Sequence, residues 1–173
     1  MRLKLAAFVL TSGIAFAAGA NAADKPKLVD TFRDWHVYSG GKGADRTCYL
    51  LAVPTGMTPK NLKRGDAFFL ISNWPASKVK HEPSVVPGYQ YKDMGVVQVQ
   101  IGSDKFSFAA QNQGANGGAW AQMPEDEAKV VTAMKGGAQM VVTGVSSKGV
   151  LTKDEYSLAG FSAALDKLDS TCK

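Results

Sequence analysis

The 173-residue chain has two cysteines and two histidines, and that scarcity excludes much chemistry. A zinc site wants three or four clustered Cys/His ligands, and Cys48, Cys172, His36 and His81 form no such group in sequence. A thiol redox pair would normally read C-x-x-C, which is absent. The G-x-S-x-G elbow, the EF-hand loop, the P-loop and the dinucleotide fingerprint are missing too. His81-Glu82 runs into Pro83 and cannot start a helical H-E-x-x-H pair. Ser-x-x-Lys occurs at Ser39–Lys42, Ser77–Lys80 and Ser170–Lys173, matches that chance supplies in a Lys-rich chain, and none opens a helix. No enzyme, metal or cofactor is expected. The competing readings are a periplasmic hydrolase with a non-standard site of scattered Asp, Glu and Lys, and a structural or chaperone-like envelope protein.

Long apolar runs are lacking as well. The run Leu5–Ala18 is shorter than the about 18 residues of a membrane span, and Thr11, Ser12 and Gly13 interrupt it. Arg2 and Lys4 precede it and Ala20-Asn21-Ala22 follows, the layout of a cleavable secretory signal over residues 1–22. The expected cut lies between Ala22 and Ala23, leaving one domain, residues 23–173, with no transmembrane segment. The signal holds two of the 20 Lys+Arg and none of the 15 Asp+Glu, so the mature chain has 18 against 15, net +3. The charge is scattered, its densest group being Lys60, Lys63 and Arg64 in one loop. This argues against a nucleic-acid partner. The expected location is periplasmic, with outer-membrane association or secretion left open.

The cysteines present are even in number, and an oxidising compartment favours their pairing. Cys48 shares a strand face with Leu50 and Ala52 by the two-residue period. Phe161, Leu165, Leu168 and Cys172 fall on one helical stripe. A Cys48–Cys172 disulfide would pin the final helix to an early strand.

Strand patterns cover Phe32–Tyr38, Arg46–Val53 and Ala67–Trp74, the last the most apolar and expected to be central and buried on both faces. Val97, Val99 and Ile101 alternate with glutamines. Gly102-Ser103 then turns the chain into Phe106 and Phe108, a β-hairpin. Gln139–Val145 and Leu151–Leu158 make a second. Pro54–Asp66, Pro75–Gly95 (with room for a short strand around Ser84–Val86) and the Gly/Asn-rich Gln111–Gly118 read as loops. Pro124–Met134 reads as a helix: proline suits its first turn, Glu125, Asp126 and Glu127 favour its positive end, and Val130, Val131 and Met134 form its apolar face. Those acids need no metal to explain them. A short helix over Phe161–Ser170 closes the chain. Strands outnumber helices and do not alternate with them, so the expected fold is mainly β. It is an antiparallel β-sandwich with one mid-chain helix and a short C-terminal helix.

The long 75–95 loop is the expected functional segment, since loops of that length in compact domains often carry function. Its Lys78, Lys80 and His81, with the aromatics Trp74, Tyr89, Tyr91 and Trp120, make up the candidate binding surface. The partner is an unidentified protein or envelope component, or a host cell surface.

Phe32-Arg33-Asp34-Trp35-His36-Val37 resembles the F-x-D-W-x-V opening of the invasion-associated locus B proteins of alphaproteobacteria. Asp154-Glu155-Tyr156-Ser157-Leu158-Ala159-Gly160-Phe161-Ser162-Ala163-Ala164-Leu165, then Cys172, is similar to the family's D-x-[FY]-S-L-x-G-F-x-x-A-L…C tail. The likeness covers nearly all the mature chain. It implies a small periplasmic or envelope-associated β-sandwich, linked in some pathogens to host-cell invasion, and carries over no catalytic residue. Many members come from harmless bacteria, so virulence does not follow. One departure is Tyr38-Ser39, where many members have a cysteine. A second disulfide of the family pattern is therefore missing.

Overall fold

The computed structural model describes residues 25–113 and 116–172, so the expected signal and the Ala22–Ala23 junction lie outside the described residues. Eleven strands and two helices follow in chain order. They are β1 Lys27–Phe32, β2 Trp35–Gly40, β3 Thr47–Ala52, β4 Gly56–Thr58, β5 Phe68–Trp74, β6 Val79–Val86, β7 Val96–Ile101, β8 Asp104–Gln113 and β9 Asn116–Ala121. Then come α1 Pro124–Gly136, β10 Gln139–Val145, β11 Leu151–Ser157 and α2 Phe161–Thr171. All strands belong to one antiparallel sheet in the order β1-β2-β3-β5-β6-β9-β8-β7-β10-β11-β4, which does not close.

The sandwich is thus one sheet whose halves face each other across a shared core. The corner lies between β6 and β9, which pair only at Ser84–Trp120 and Val85–Ala119. Inward residues alternate along each strand, as the pleat requires: Trp35 and Val37 on β2, Cys48, Leu50 and Ala52 on β3, Phe69 and Ile71 on β5. Phe69 bridges the halves, its ring 6.4 Å from Phe108 on β8 and 5.9 Å from Tyr156 on β11. The helices add Val130, Val131 and Met134 from α1 and Phe161, Ala164, Leu165 and Leu168 from α2 to the same cluster.

Four sequence readings are corrected. Phe32–Tyr38 is not one strand: Arg33-Asp34 turns the chain between β1 and β2, with Arg33 at φ 54°. β5 is central, but Phe68 and Leu70 on its second face are half-buried. Residues 75–95 contain the eight-residue β6, paired with β5 along its length. Pro83 disguised it, because proline lacks the ladder N–H; here it precedes the two residues that pair with β9. Gln111–Gly118 belongs to a hairpin, with Gln111 opposite Gly118 and Gln113 opposite Asn116.

Candidate functional site

Register places one line of outward residues across six strands, from β1 to β9 in sheet order: Thr31, His36, Leu51, Leu70, Ser84 and Trp120. None carries a formal charge with histidine neutral. Beside it runs Tyr38, Tyr49, Ser72 and Glu82, where the two tyrosine rings stack at 5.2 Å. Partial burial, then the neighbouring Tyr38, push the Tyr49 hydroxyl above its usual pKa. Trp74, 43% exposed, ends β5 on this side, with Nε1 donating to Glu82 Oε2 at 3.4 Å. The Trp120 ring lies along β9 over Gly118, where a Cβ would come within 2.3 Å of it. Val53, 51% exposed just past β3, widens the apolar area.

The outer face of the other half is different. There the line reads Ser107, Gln98, Thr143, Lys153 and Thr58, and Lys153 pairs with Glu155 at 2.6 Å. One outer face is mixed, with Lys153 and Glu155 beside Val141, Val145 and the 65%-exposed Leu151; the other gathers the tyrosine and tryptophan rings, with Glu82 as the charge among them.

The seven residues of the candidate surface do not stay together. Trp74 and Trp120 belong to the apolar outer face. Lys78 and Lys80 are exposed at the β5–β6 turn. His81 sits beside them in a bulge, at φ 62°, where it and Lys80 face Asn73, and its N–H donates to Asn73 Oδ1 at 2.7 Å. Tyr91 lies inside the core, and Tyr89 reaches inward from a half-buried position. Tyr91 is 1% exposed, and Tyr89 is half-buried with its hydroxyl 2.5 Å from Thr152 Oγ1.

Both tyrosines join a buried network that the sequence reading missed. Arg64 donates two hydrogen bonds to Asp154, at 2.9 and 2.5 Å, and one to Pro87 O at 3.3 Å. The side chains of Arg64 and Asp154 are 6% and 3% exposed. The guanidinium lies 5.8 Å from the Tyr89 ring centre. Burial works to lower the Arg64 pKa, but the Asp154 bonds and charge outweigh it and raise it. Burial is the main cause that pushes Tyr89, Tyr91 and Tyr156 upward, so all three stay neutral. The Tyr156 hydroxyl is buried without a partner among the described residues. A signal was available: Thr152, Asp154 and Tyr156 alternate on one strand face, and a carboxylate between them calls for a buried cation.

A second carboxylate ties α2 to the β5–β6 turn. Asp169 accepts from His81 Nε2 at 2.7 Å and from Lys80 Nζ at 3.2 Å. Partial burial pulls its pKa up, yet His81 first and Lys80 next hold it below the usual value. A His–Asp pair can orient a general base, but no hydroxyl or thiol stands on the His81 ring among the described residues. There is also no group of three or more His, Cys, Asp or Glu side chains there able to hold a metal ion. Open clefts of about 850 Å³, between α1 and the Gly102–Ser103 turn, and about 770 Å³, beside β4, complete the surface.

Cys48 and Cys172 form the expected disulfide, with Cα atoms 5.9 Å apart. The two sequence motifs at the chain's ends also meet. Trp35 Nε1 donates to Ser157 O at 3.1 Å, and its ring lies 5.0 Å from Phe161. Gly160 takes φ 89° in the one orientation that lets its Cα approach Phe32 O; a Cβ there would fall 2.1 Å from that oxygen. The motifs are therefore packing devices.

A family model described as invasion associated locus B (IalB) protein matches residues 35–169. Among solved structures, the crystal structure of invasion associated protein b from Bartonella henselae is similar, with a TM-score of 0.60 at 14% identity. The match covers 84% of this chain and 98% of that one. Identity that low speaks for the fold alone. No curated protein matches the chain at a significant level.

Proposed function

Starting from the fact that the chain belongs to the invasion associated locus B family, we propose that it is an exported, envelope-associated, non-enzymatic binding protein. Its binding surface is the ring-rich outer face that runs from β1 across the corner to β9. The observation that carries this reading is the gathering of tyrosine and tryptophan rings on one outer face of the sheet. A face serving only as a solvated boundary would be polar on both halves, as antiparallel sheets commonly are. Interface cores are depleted in charge and enriched in Tyr and Trp, which describes Tyr38, Tyr49, Trp74 and Trp120. Lys78 and Lys80 form a basic rim at one end. The partner is a protein or an envelope component with a flat, weakly charged surface. The family's link to host invasion makes a host cell surface a second candidate.

Site-specific photo-crosslinking in cells tests this. A crosslinker at Leu51 or Leu70 should capture a defined partner, and one at Gln98 or Thr143 should not. Leu70→Ser should abolish capture from the Leu51 position. Equal capture from both halves, or none from the apolar half, sinks the reading.

A further inference from the structure

The disulfide is chemically lopsided. Cys48 is 0% exposed and belongs to the core cluster. Cys172 caps the last turn of α2, is only partly buried, and lines a crevice of about 340 Å³ with Asn73, Pro75, Lys78, Val79, Lys80 and Asp169. Thiol–disulfide exchange requires a thiolate to reach one sulfur while the other leaves as a thiolate, so access and leaving-group stability decide which sulfur is attacked. Access selects Cys172. Cys48 must then be the leaving sulfur, and its burial makes a bare thiolate there costly. Its Sγ lies 3.6 Å from Ser39 Oγ, and register sets Ser39 directly opposite Cys48 on β2. The Ser39 hydroxyl can donate to a thiolate formed there.

We infer that Cys172 is a site of reversible mixed-disulfide formation with a small acidic thiol, Cys48 being the leaving and resolving sulfur. In the forward step the thiolate RS⁻ bonds to Cys172 Sγ, the Cys48–Cys172 bond breaks, and its electron pair stays on Cys48 as a thiolate hydrogen-bonded by Ser39. The reverse step returns RS⁻ and restores the disulfide, so no outside oxidant or reductant enters the exchange. The ammonium groups of Lys78 and Lys80 at the crevice attract an anionic thiol. Lys80 also holds Asp169, so Lys78 is the cation not already paired with that carboxylate.

Three contacts keep α2 in place once the disulfide opens. Arg46 Nη2 donates to Thr171 O at 2.5 Å, Asp169 remains tied to His81 and Lys80, and Leu165 and Leu168 stay in the core. The mixed disulfide therefore forms on a folded protein.

The test is incubation of the oxidised mature protein with glutathione without denaturant, followed by acid quench, alkylation and peptide mass spectrometry. The expected result is glutathione on Cys172 and the alkyl label on Cys48. Ser39→Ala should slow the first exchange by about fivefold, the worth of one modest hydrogen bond, with an unchanged unfolding midpoint. Lys78→Gln should slow glutathione more than it slows neutral mercaptoethanol. Glutathione on Cys48, an even split, or exchange no faster than global unfolding overturns the proposal. Unchanged kinetics in both variants does so equally.

Discussion

Asp154 and Asp169 each tie together parts of the chain far apart in sequence, under opposite conditions. Asp154 is 3% exposed, gripped by a bidentate guanidinium and surrounded by neutral tyrosines. Asp169 is 35% exposed and shared between an imidazole and an ammonium at the rim of a crevice. The same side-chain chemistry gives a fixed strut in one place and an adjustable clasp in the other. Burial makes the difference: removing one partner of a buried pair strands a desolvated charge, whereas water readily replaces a lost partner at the surface.

The largest effect that would break this contrast is at the strut. Arg64→Ala should lower stability by about 3–5 kcal/mol, because it leaves Asp154 buried and unpaired. The paired change Arg64→Met with Asp154→Leu should recover most of that loss. Urea unfolding of the three proteins checks it, and a loss below about 1 kcal/mol would make the strut no different from a surface pair.

Opening the covalent tie beside the clasp comes next. Its closed segment spans 124 positions, so the chain-entropy ceiling is about 5 kcal/mol and a typical loss is about 2–4. Cys48→Ser with Cys172→Ser, compared with the oxidised parent by denaturant unfolding, should fall in that range while α2 stays helical. Helix content measured by circular dichroism would reveal a detached α2.

The smallest effect is at the clasp. Asp169→Asn should cost no more than about 1 kcal/mol at neutral pH. Since the Asp169 pKa is lowered in the folded state, its contribution is present above the unfolded value of 3.8 and is lost as pH falls through the folded value. The stability gap between parent and variant should be open at pH 5 and close in more acid solution. A gap that stays constant to the lowest pH would assign Asp169 a packing role instead.

Periodicity made much of the fold legible. The apolar face of α1, the stripe of α2 and the inward set Cys48, Leu50 and Ala52 all follow from spacing within one element. The hairpin at Gly102 follows from local turn chemistry, and that glycine takes φ 58°. What escaped was set by distant partners or by residues that usually break structure. β6 carries Pro83 and a bulge at His81, and β9 is largely glycine and alanine, so neither shows a strand's usual composition. Tyr89 and Tyr91 sit in a Pro/Gly-rich stretch and look exposed until Arg64 and Asp154 are brought to them. The apolar outer face was hidden for a related reason. Its residues are scattered over six strands, and each alone passes for an ordinary outward position.

The edge strand β4 has one further consequence. Its three residues follow β3 in the chain, yet among the described residues their only strand partner is β11, near the other end. The local bond in that connection, Leu62 N–H to Pro59 O at 3.3 Å, is too little to reward early ordering. Pairings of this kind raise contact order and slow folding, so the segment between β3 and β5 is expected to settle last. The Arg64 anchor on Asp154 then marks completion of the fold.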